Sequence, residues 1–300
     1  MRRLIPTFFL ITTFLVTTAA LFGQAQDFSK VEIKTTKLTP NFYQLEGQGG
    51  AIGVLTGPEG VFVVDSEFAP LTEKIVAAIR QVSNAPIRFL INTHVHGDHT
   101  GGDENFGKMG VTILAREELR KRLMNPAPGA NGAPTPPSAP IGLPVITYSS
   151  PITIHMDGED IQAIPVPAAH TDGDTMIRFP NNNVIMIGDF FRSVGFPNID
   201  RANGGSLKGM VAGIDAAIQL CDANTKVVPG HGPIVDRNGL AAHRDMIIAV
   251  RDKVSALIAQ GKTADETVAA HPTADYDAKS PTGPMTSERF VRQLYAELKK

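Results

Sequence analysis

The feature that most limits how this chain can fold is a run of metal-binding side chains directly after a short apolar segment, Phe89-Leu90-Ile91. The run reads Thr93-His94-Val95-His96-Gly97-Asp98-His99. Because side chains alternate along an extended strand, His94 and His96 share a face, and a turn at Gly97 lets the aspartate and histidine that follow reach a neighbouring point. Histidine accounts for only 8 of 300 residues, so chance does not explain the cluster. Imidazole with carboxylate suits zinc. The run therefore predicts a strand end whose loop serves two metal ions.

Apolar strands and amphipathic helices follow one another in two series. In the first, Ile52–Leu55 and Val61–Val64 flank a Gly-Pro-Glu-Gly turn and predict a hairpin. A helix follows, with an apolar stripe formed by Leu71, Ile75, Ile79 and Val82. In the second series, short strands lie between residues 152 and 187, Ser206 caps a helix, and a long helix runs from Leu240 to Ala259. Two half-domains, each a sheet covered by helices, fit this order better than one doubly wound sheet. We therefore predict an α/β (α+β) fold.

The middle and the end of the chain carry further local signals. Ala115–Met124 predicts a charged helix, and residues 126–144 are so dense in Pro, Gly and Ala that we expect no regular structure there. That stretch is either a solvated insertion or a mobile flap over the site. Thr263 and Glu266 form a capping-box pattern, and a last helix is predicted from Ser287 to Leu298.

The spacing of the histidine run resembles the H-x-H-x-D-H motif of the metallo-β-lactamase superfamily, and the resemblance continues downstream over roughly residues 41 to 258. His170, in an Ala-His-Thr-Asp-Gly-Asp-Thr stretch, is similar to the family's next histidine. Asp189 resembles the aspartate that bridges two metals in the glyoxalase II-like branch, and His231, within Pro-Gly-His-Gly, resembles the final histidine. Asp65 is similar to an early aspartate that supports a metal ligand without being one.

The resemblance implies a four-layer αββα sandwich with the site along one edge of its two sheets. It implies two Zn²⁺ ions per chain, the first held by His94, His96 and His170, the second by Asp98, His99 and His231, with Asp189 between them. Such ligation leaves room at each ion for water and substrate, as in catalytic sites. The remaining histidines, His155, His243 and His271, are predicted to lie on a strand or helix surface or in the tail.

The activity implied by this ligand set is hydrolysis of a small-molecule lactam, ester, lactone or thioester by a hydroxide shared between the metals. Asp98 is the candidate catalytic residue, because it could orient the hydroxide and relay its proton. True β-lactamases of the family carry cysteine or serine where this chain has Asp189, so β-lactam hydrolysis stays open. Arg192 is a candidate contact for a substrate carboxylate, and an ordinary surface arginine is the alternative.

Two other classes of protein also agree with these residues. Sulfur (persulfide) dioxygenases of the superfamily use nearly the same ligands around a single iron, and a non-catalytic metal-binding protein would need no substrate site. Metal analysis separates the first alternative from a two-zinc hydrolase. Activity with and without a chelator separates the second.

The N-terminus predicts export. Arg2 and Arg3 precede an apolar run from Leu4 to about Phe22, and Gly23-Gln24-Ala25 supplies small residues for cleavage. We expect a signal peptide at residues 1–25 and a periplasmic or secreted catalytic domain at 26–300, with no stable membrane anchor after cleavage. An uncleaved anchor is the alternative.

The net charge and the cysteine count limit which partners the protein can bind and how its fold can be stabilised. With a formal net charge of −2, the chain has no excess of basic residues to hold a phosphate backbone, so we expect no nucleic-acid partner. The single cysteine, Cys221, cannot form an intrachain disulfide and lies in an apolar pattern, which predicts a core position.

Overall fold

Two β-sheets form the centre of the computed structural model, which describes residues 27–129, 132–277 and 284–299. The first sheet contains seven strands in sequential order: β1 (Lys34–Lys37), β2 (Phe42–Glu46), β3 (Ile52–Gly57), β4 (Gly60–Val64), β5 (Ile87–Ile91), β6 (Thr112–Arg116) and β7 (Ile146–Tyr148). The second consists of β8 (Ile152–Met156), β9 (Glu159–Pro165), β10 (Thr175–Phe179), β11 (Val184–Met186) and β12 (Lys226–Val228), in the order β12-β11-β10-β9-β8. The predicted signal peptide lies outside the described residues.

Helices connect the strands and cover the sheets. They are α1 (Thr72–Val82), α2 (Gly97–Thr100), α3 (Asp103–Lys108), α4 (Glu117–Met124), α5 (Leu207–Leu220), α6 (Arg237–Ala259), α7 (Ala264–Ala269), α8 (Ala274–Asp277) and α9 (Pro284–Leu298). Short 3₁₀ turns occur at Ala69–Leu71, Pro140–Gly142, Gly188–Phe190 and Arg201–Asn203. Within the described part of the chain, no helix has both the length and the apolar composition that crossing a membrane requires.

The strand β4 shows how the layers are built. Val61 and Val63 belong to a buried cluster with Ile75 of α1, whereas Phe62 and Val64 belong to another that includes side chains of the second sheet. Because side chains alternate along a strand, one face of β4 meets the helices and the other meets the opposite sheet. Both faces are buried, which explains why this strand is apolar throughout.

The outer face of the second sheet is covered by α5, α6 and α9. Ile185 of β11 shares a buried cluster with Met210, Ile247 and Phe290 from those three helices. Cys221 also belongs to this cluster, which confirms the predicted core position. The helix–sheet–sheet–helix order is the αββα sandwich that the sequence predicted, and burying each large apolar side chain contributes roughly 1.5–3 kcal/mol to its stability.

Local capping explains where the helices begin. The side chain of Ser206 accepts a hydrogen bond from the backbone N–H of Gly209, as predicted, and Thr263 forms the predicted capping box with Glu266. The helix predicted from Leu240 begins three residues earlier at Arg237, because the Asp236 side chain accepts from Gly239 N at 2.8 Å. A capping aspartate satisfies backbone donors at a helix start that would otherwise have no partner.

The prediction of a helix over Ala115–Met124 was wrong at its start. Ala115 and Arg116 end strand β6, which pairs in parallel with both β5 and β7, and the helix α4 begins at Glu117. Neither β6 nor β7 was predicted. Ala115 is fully buried, and pairing inside a sheet overrides the helical preference of such residues.

The Pro-rich stretch, of which residues 126–129 and 132–144 are described, is irregular apart from the 3₁₀ turn Pro140–Gly142. Ser138 N donates to the carbonyl of Leu123, which ties the stretch back to the end of α4. Pro126 and Ser138 line a cavity of about 350 Å³ that also contacts His96. The stretch therefore borders the histidine cluster.

Candidate metal centre

Four loops bring the predicted ligands together at an edge shared by both sheets. The loop after β5 in the first sheet carries His94, His96, Asp98 and His99. The second sheet supplies His170 from the β9–β10 loop, Asp189 from the turn after β11, and His231 from the loop after β12. Ligands separated by up to 137 positions (94 to 231) in the chain are therefore neighbours in space.

His94, His96 and His170 form the first group, with ring nitrogens within 4.8 Å of one another. Nδ1 of His170 lies 2.6 Å from the carbonyl oxygen of Asn198, and its Nε2 faces Nδ1 of His96 at 2.8 Å. Nε2 of His96 lies 2.7 Å from a carboxylate oxygen of Asp200. In both rings an oxygen accepts from the outer nitrogen, so the inner nitrogen keeps its lone pair for a metal.

Asp98, His99 and His231 form the second group, again within 4.8 Å. Oδ2 of Asp98 lies 3.1 Å from Nε2 of His231 and 3.9 Å from Nε2 of His99. His99 is fully buried, and its Nδ1 lies 2.7 Å from Oδ2 of Asp65. Asp65 also accepts from the backbone N–H and the hydroxyl of Thr93, each at 2.7 Å. Asp65 therefore lies behind a candidate ligand, where its contact could orient the ring of His99.

Asp189 lies between the two groups. Its Oδ1 is 3.4 Å from Nε2 of His99 and 3.3 Å from Nε2 of His231, and its Oδ2 is 3.8 Å from Nε2 of His170. One oxygen of the carboxylate faces each group. A carboxylate placed in this way could contribute a ligand atom to each group.

Within the described part of the chain, several buried atoms at this point have no hydrogen-bond partner. They are Nε2 of His94, Nε2 of His99 and Oδ1 of Asp189. Leaving a buried polar atom unsatisfied costs about 1–3 kcal/mol, and these three converge on one place because His94, His99 and Asp189 also form a group within 4.8 Å. Metal ions would satisfy all of them, so the donor set fits metal binding.

The protonation states of four candidate ligands, His94, His170, Asp98 and Asp189, also suit metal ligation, whereas for His99 and His231 burial is outweighed by nearby carboxylates, which raise the pKa of both rings. Burial lowers the pKa of His170 to about 4 and holds that of His94 well below its usual value. Burial opposes ionisation of Asp98 and Asp189, but their contacts with His231 and His99 outweigh it, lowering the pKa of Asp98 to about 2 and that of Asp189 well below its usual range. Neutral imidazoles and ionised carboxylates are the forms that bind metal.

Glycines let a neighbouring loop approach the site closely. A Cβ on Gly50 would lie 2.1 Å from Cε1 of His99, and one on Gly101 would lie 2.5 Å from the carbonyl oxygen of Gly97. Gly97 itself has no atom within 4 Å of such a Cβ and begins α2. The expectation that the turn after His96 needs a glycine at position 97 was therefore wrong. The positions at which a side chain would clash are those of the neighbouring glycines, Gly50 and Gly101.

Further residues that hold the site were missed by the sequence analysis. Glu67 accepts from the backbone N–H groups of residues 47, 48 and 49, which fixes the loop that covers His99. Asp174 accepts from the backbone of His170 at 2.6 Å, and burial raises its pKa to about 7. Asp200 reaches His96 across 104 positions. An acidic residue just after a buried strand was a usable signal for Glu67, whereas nothing local marks Asp200.

The other candidate residues lie around or away from the cluster. Arg192 is half-buried on the loop after Asp189, and its Nε has no hydrogen-bond partner among the residues that the structure describes. His155 and His271 are exposed, as predicted. His243 is not on a free helix surface, because its ring packs 4.8 Å from that of Phe191 and burial lowers its pKa to about 4.

An αββα sandwich with a histidine–aspartate cluster at the shared sheet edge defines a class of metal-dependent hydrolases. The chain belongs to the metallo-beta-lactamase superfamily, whose family model matches residues 46–242.

Individual relatives are distant. A linear primary-alkylsulfatase from Pseudomonas sp. is 24% identical over 72% of this chain and 48% of its own length. A hydroxyacylglutathione hydrolase from Nitrosococcus oceani is 25% identical over 65% of this chain and 66% of its own. The chain thus spans about half to two thirds of the length of these relatives.

Solved structures share the fold. A stereoselective inverting sec-alkylsulfatase from Pseudomonas sp. has a TM-score of 0.65 at 17% identity, covering 88% of this chain and 50% of that one. A metallo-beta-lactamase from Pontibacter korlensis has a TM-score of 0.58 at 19% identity, covering 72% of this chain and 99% of that one.

Proposed function

We propose that this chain is a hydrolase that holds two Zn²⁺ ions, one in each group of ligands, with Asp189 between them. The position of the Asp189 carboxylate supports this most directly, because its two oxygens face different groups. When bound, two such ions supply Lewis acidity and lower the pKa of a coordinated water to about 7.

The chain's own residues then hold and orient the reactants. Asp98 is ionised and its side chain is 25% exposed, so it can orient a water molecule and accept its proton. Asp65 and Asp200 hold the rings of His99 and His96 by their outer nitrogens. These contacts keep the inner nitrogens directed at the metal positions.

The substrate class that we propose is a small molecule with a lactam, ester, lactone or thioester carbonyl. A sulfate ester is the second candidate. Two similarities support this second candidate. The sequence of a linear primary-alkylsulfatase matches 72% of this chain, and the structure of a sec-alkylsulfatase matches 88% of it. The two classes differ in the bond cleaved, which is an acyl C(=O)–X bond in the first and a bond of the sulfate ester in the second, so one panel separates them.

The experiment is a hydrolysis panel on protein of measured metal content. It contains nitrocefin, an acyl-homoserine lactone, a nitrophenyl ester, an acyl-glutathione thioester and a primary alkyl sulfate. We expect turnover of at least one of them, loss on chelation and recovery with Zn²⁺. No turnover by zinc-loaded protein would refute the hydrolase proposal. One iron per chain, with thiol-dependent oxygen uptake, would support the dioxygenase alternative instead.

We also propose that the chain is exported and that residues 1–25 are removed. The arginine pair before an apolar run and the small residues up to Ala25 support this proposal. Mass spectrometry of protein expressed from the complete sequence should find an N-terminus at Gln26 in the periplasmic fraction. An N-terminus at Met1 in the membrane fraction would overturn it in favour of the anchor.

A further inference from the structure

One buried imidazole nitrogen without a partner lies outside the metal centre. Within the described ranges, the histidine nitrogens that are buried and have no hydrogen-bond partner are Nε2 of His94, of His99 and of His243. His94 and His99 belong to the groups of candidate metal ligands. His243, on α6, belongs to no such group among the described residues. Its unused nitrogen therefore needs a different explanation.

Nothing that the structure describes around His243 pairs with this nitrogen. The ring packs edge-to-face against that of Phe191, with centroids 4.8 Å apart, and a phenyl ring has no conventional donor or acceptor. The residue keeps some contact with solvent, although Nε2 itself is buried. A buried polar atom left unsatisfied costs about 1–3 kcal/mol. A bound molecule that pairs with His243 would remove this cost.

A cavity of about 270 Å³ lies beside the His243 ring, between α6, α8 and the loop that follows Asp189. Most of its walls are apolar, and they include Phe191, Phe196, Val235, Met246 and the ring of Tyr276. Since a cavity of about 150 Å³ holds benzene, this one has room for roughly ten non-hydrogen atoms. Its size suits a small molecule with one ring or a short chain.

The described residues that line this cavity include no aspartate, glutamate, lysine or arginine. Burial lowers the pKa of His243 to about 4, so its ring is neutral at pH 7 and has one donor and one acceptor. A charged ligand would lose its hydration here without gaining a counter-charge, which is costly. The cavity therefore favours an uncharged molecule with a group that forms hydrogen bonds.

One wall of the cavity is the loop that joins two candidate metal ligands. Phe191 follows Asp189 by two residues. Ser193, which also lines the cavity, donates from its backbone N–H to the carbonyl of His231 at 3.1 Å and from its hydroxyl to the carbonyl of Pro233 at 2.6 Å. A molecule packed against Phe191 and Ser193 would therefore stabilise the loop that holds Asp189 and His231 together.

We propose that this cavity is a second binding site, separate from the metal ligands, for a small uncharged alcohol or phenol whose hydroxyl pairs with His243, and that its occupancy strengthens metal binding. The apolar body of the molecule would contact Phe191, Phe196 and Met246. Binding does not depend on hydrolysis. The source of the molecule rests on the proposed function: cleavage of an ester or sulfate ester releases an alcohol or phenol, so a product of the reaction could occupy the site.

The first test compares two probes that differ by one hydroxyl, p-cresol and toluene. Binding to the full chain is measured by calorimetry after chelation, so that no metal contributes. The wild type should bind p-cresol more tightly than toluene. His243→Leu should weaken p-cresol binding roughly 3- to 10-fold, the loss expected for one hydrogen bond, and leave toluene binding unchanged. No binding of p-cresol by the wild type, or an equal loss for both probes, would overturn the proposal.

A matched pair of variants tests where the probes bind. Ala242 lines the cavity from an exposed position on α6, so Ala242→Phe should obstruct the cavity without straining the fold and weaken binding of both probes at least about 10-fold. Ala256→Phe, the same change at an exposed position of α6 outside the cavity, should bind as the wild type does. Equal binding by these two variants would overturn the location.

Stability separates a binding role of His243 from a structural one. Because His243→Leu removes a buried, unpaired polar atom and keeps a side chain of similar size, the melting temperature of the ligand-free protein should stay level or rise. A fall of several degrees would assign the ring a structural role and overturn the proposal.

The second test measures the link to the metal centre. p-Cresol should tighten the binding of Zn²⁺, measured by competition with a chromogenic chelator, by about 5-fold or more, as coupled sites typically do. Ala242→Phe should abolish this effect, and Ala256→Phe should keep it. An equal zinc affinity with and without p-cresol would overturn the link. If the zinc-loaded wild type hydrolyses no substrate, the hydrolase function fails while both titrations still decide the site.

Discussion

The candidate ligands are each held by a further side chain that the histidine motif does not reveal. Asp65 contacts His99, Asp200 contacts His96, and the Asn198 carbonyl contacts His170. These partners set which ring nitrogen faces the metal position. They are therefore as informative about the site as the ligands themselves.

Asp65→Asn should weaken metal binding about 10- to 100-fold, as loss of such a partner typically does. Asp65 has a φ of +64°, a conformation that asparagine also tolerates, so the backbone should not be strained. Affinity is measured by competition with a chromogenic chelator. An unchanged affinity would show that the contact with His99 does not support the ligand.

Asp189→Ala should reduce the metal content from two ions per chain towards one, because it removes the carboxylate that faces both groups. Activity should fall by at least about 100-fold, if both metals act on one substrate. Metal content is measured by plasma mass spectrometry. Asp252→Asn, at an exposed position on α6, is the control. Full activity in Asp189→Ala would refute the bridging role.

The buried carboxyl group of Asp103 should make the stability of the fold depend on pH. Burial raises its pKa to about 8, although Ser66 and Asn92 donate hydrogen bonds to it. Between the usual pKa and about 8, the folded state holds a proton that the unfolded chain releases, so this group makes the free energy of unfolding fall as pH rises.

Asp103→Asn should remove that dependence. The wild type loses stability as pH rises and the variant does not. The free energy of unfolding of the variant minus that of the wild type should therefore increase by up to about 1.4 kcal/mol per pH unit between pH 5 and 7. Urea denaturation at several pH values measures it, with the exposed Glu73→Gln as the control. A difference that does not change with pH would contradict the prediction.

The predicted ligands were recognisable from the sequence because each lies in a short stretch with its own spacing. The structure brings all of them together. Asp200 was not recognisable, because its role depends on His96, which lies 104 positions away in the chain. His243 was misplaced for a related reason: the spacing along α6 does not show that Phe191 packs against it.

At the scale of secondary-structure elements, the glycine loop before β3 packs directly against the site. Gly50 N donates to the carbonyl of Asp98 at 3.0 Å, and a Cβ at Gly50 would overlap the ring of His99. Gly50→Ala should therefore displace His99 and lower metal content and activity at least about 10-fold, given how strongly overpacked sites respond. Gly97→Ala, where a Cβ meets no atom within 4 Å, should keep its metal. Equal metal content in both variants would contradict this steric argument.

Errors in the predicted elements concentrate where long-range pairing decides the structure. β6 and β7 are short, and each gains its hydrogen bonds from strands distant in sequence. Capped helices such as α5 and α7 were predicted well because their start signals are local. Strand pairing adds an energy that no window of neighbouring residues contains.

The arrangement of the two sheets was predicted in outline from the two series of strands and helices. The numbers and order of strands were not, because the sequence does not state which strands pair. Phe42 and Phe179, from opposite sheets, pack with ring centroids 4.5 Å apart. Such contacts join the halves independently of any metal.

Removing the metals should therefore lower stability without unfolding the protein. Ions that bind only the folded state stabilise it by about 4 kcal/mol at a thousandfold excess over Kd, and the apolar core between the sheets should persist without them. Calorimetry with and without a chelator should show a lower but still cooperative transition. Unfolding at room temperature on chelation would contradict this.

The division of the candidate ligands between the sheets also bears on how the protein matures. The first sheet carries four of them on the loop after β5, and the second carries His170, Asp189 and His231. A chain in which only the first half has folded holds neither complete group. Each ligand group can therefore be completed only after both sheets have folded and packed together. Metal uptake would report that step.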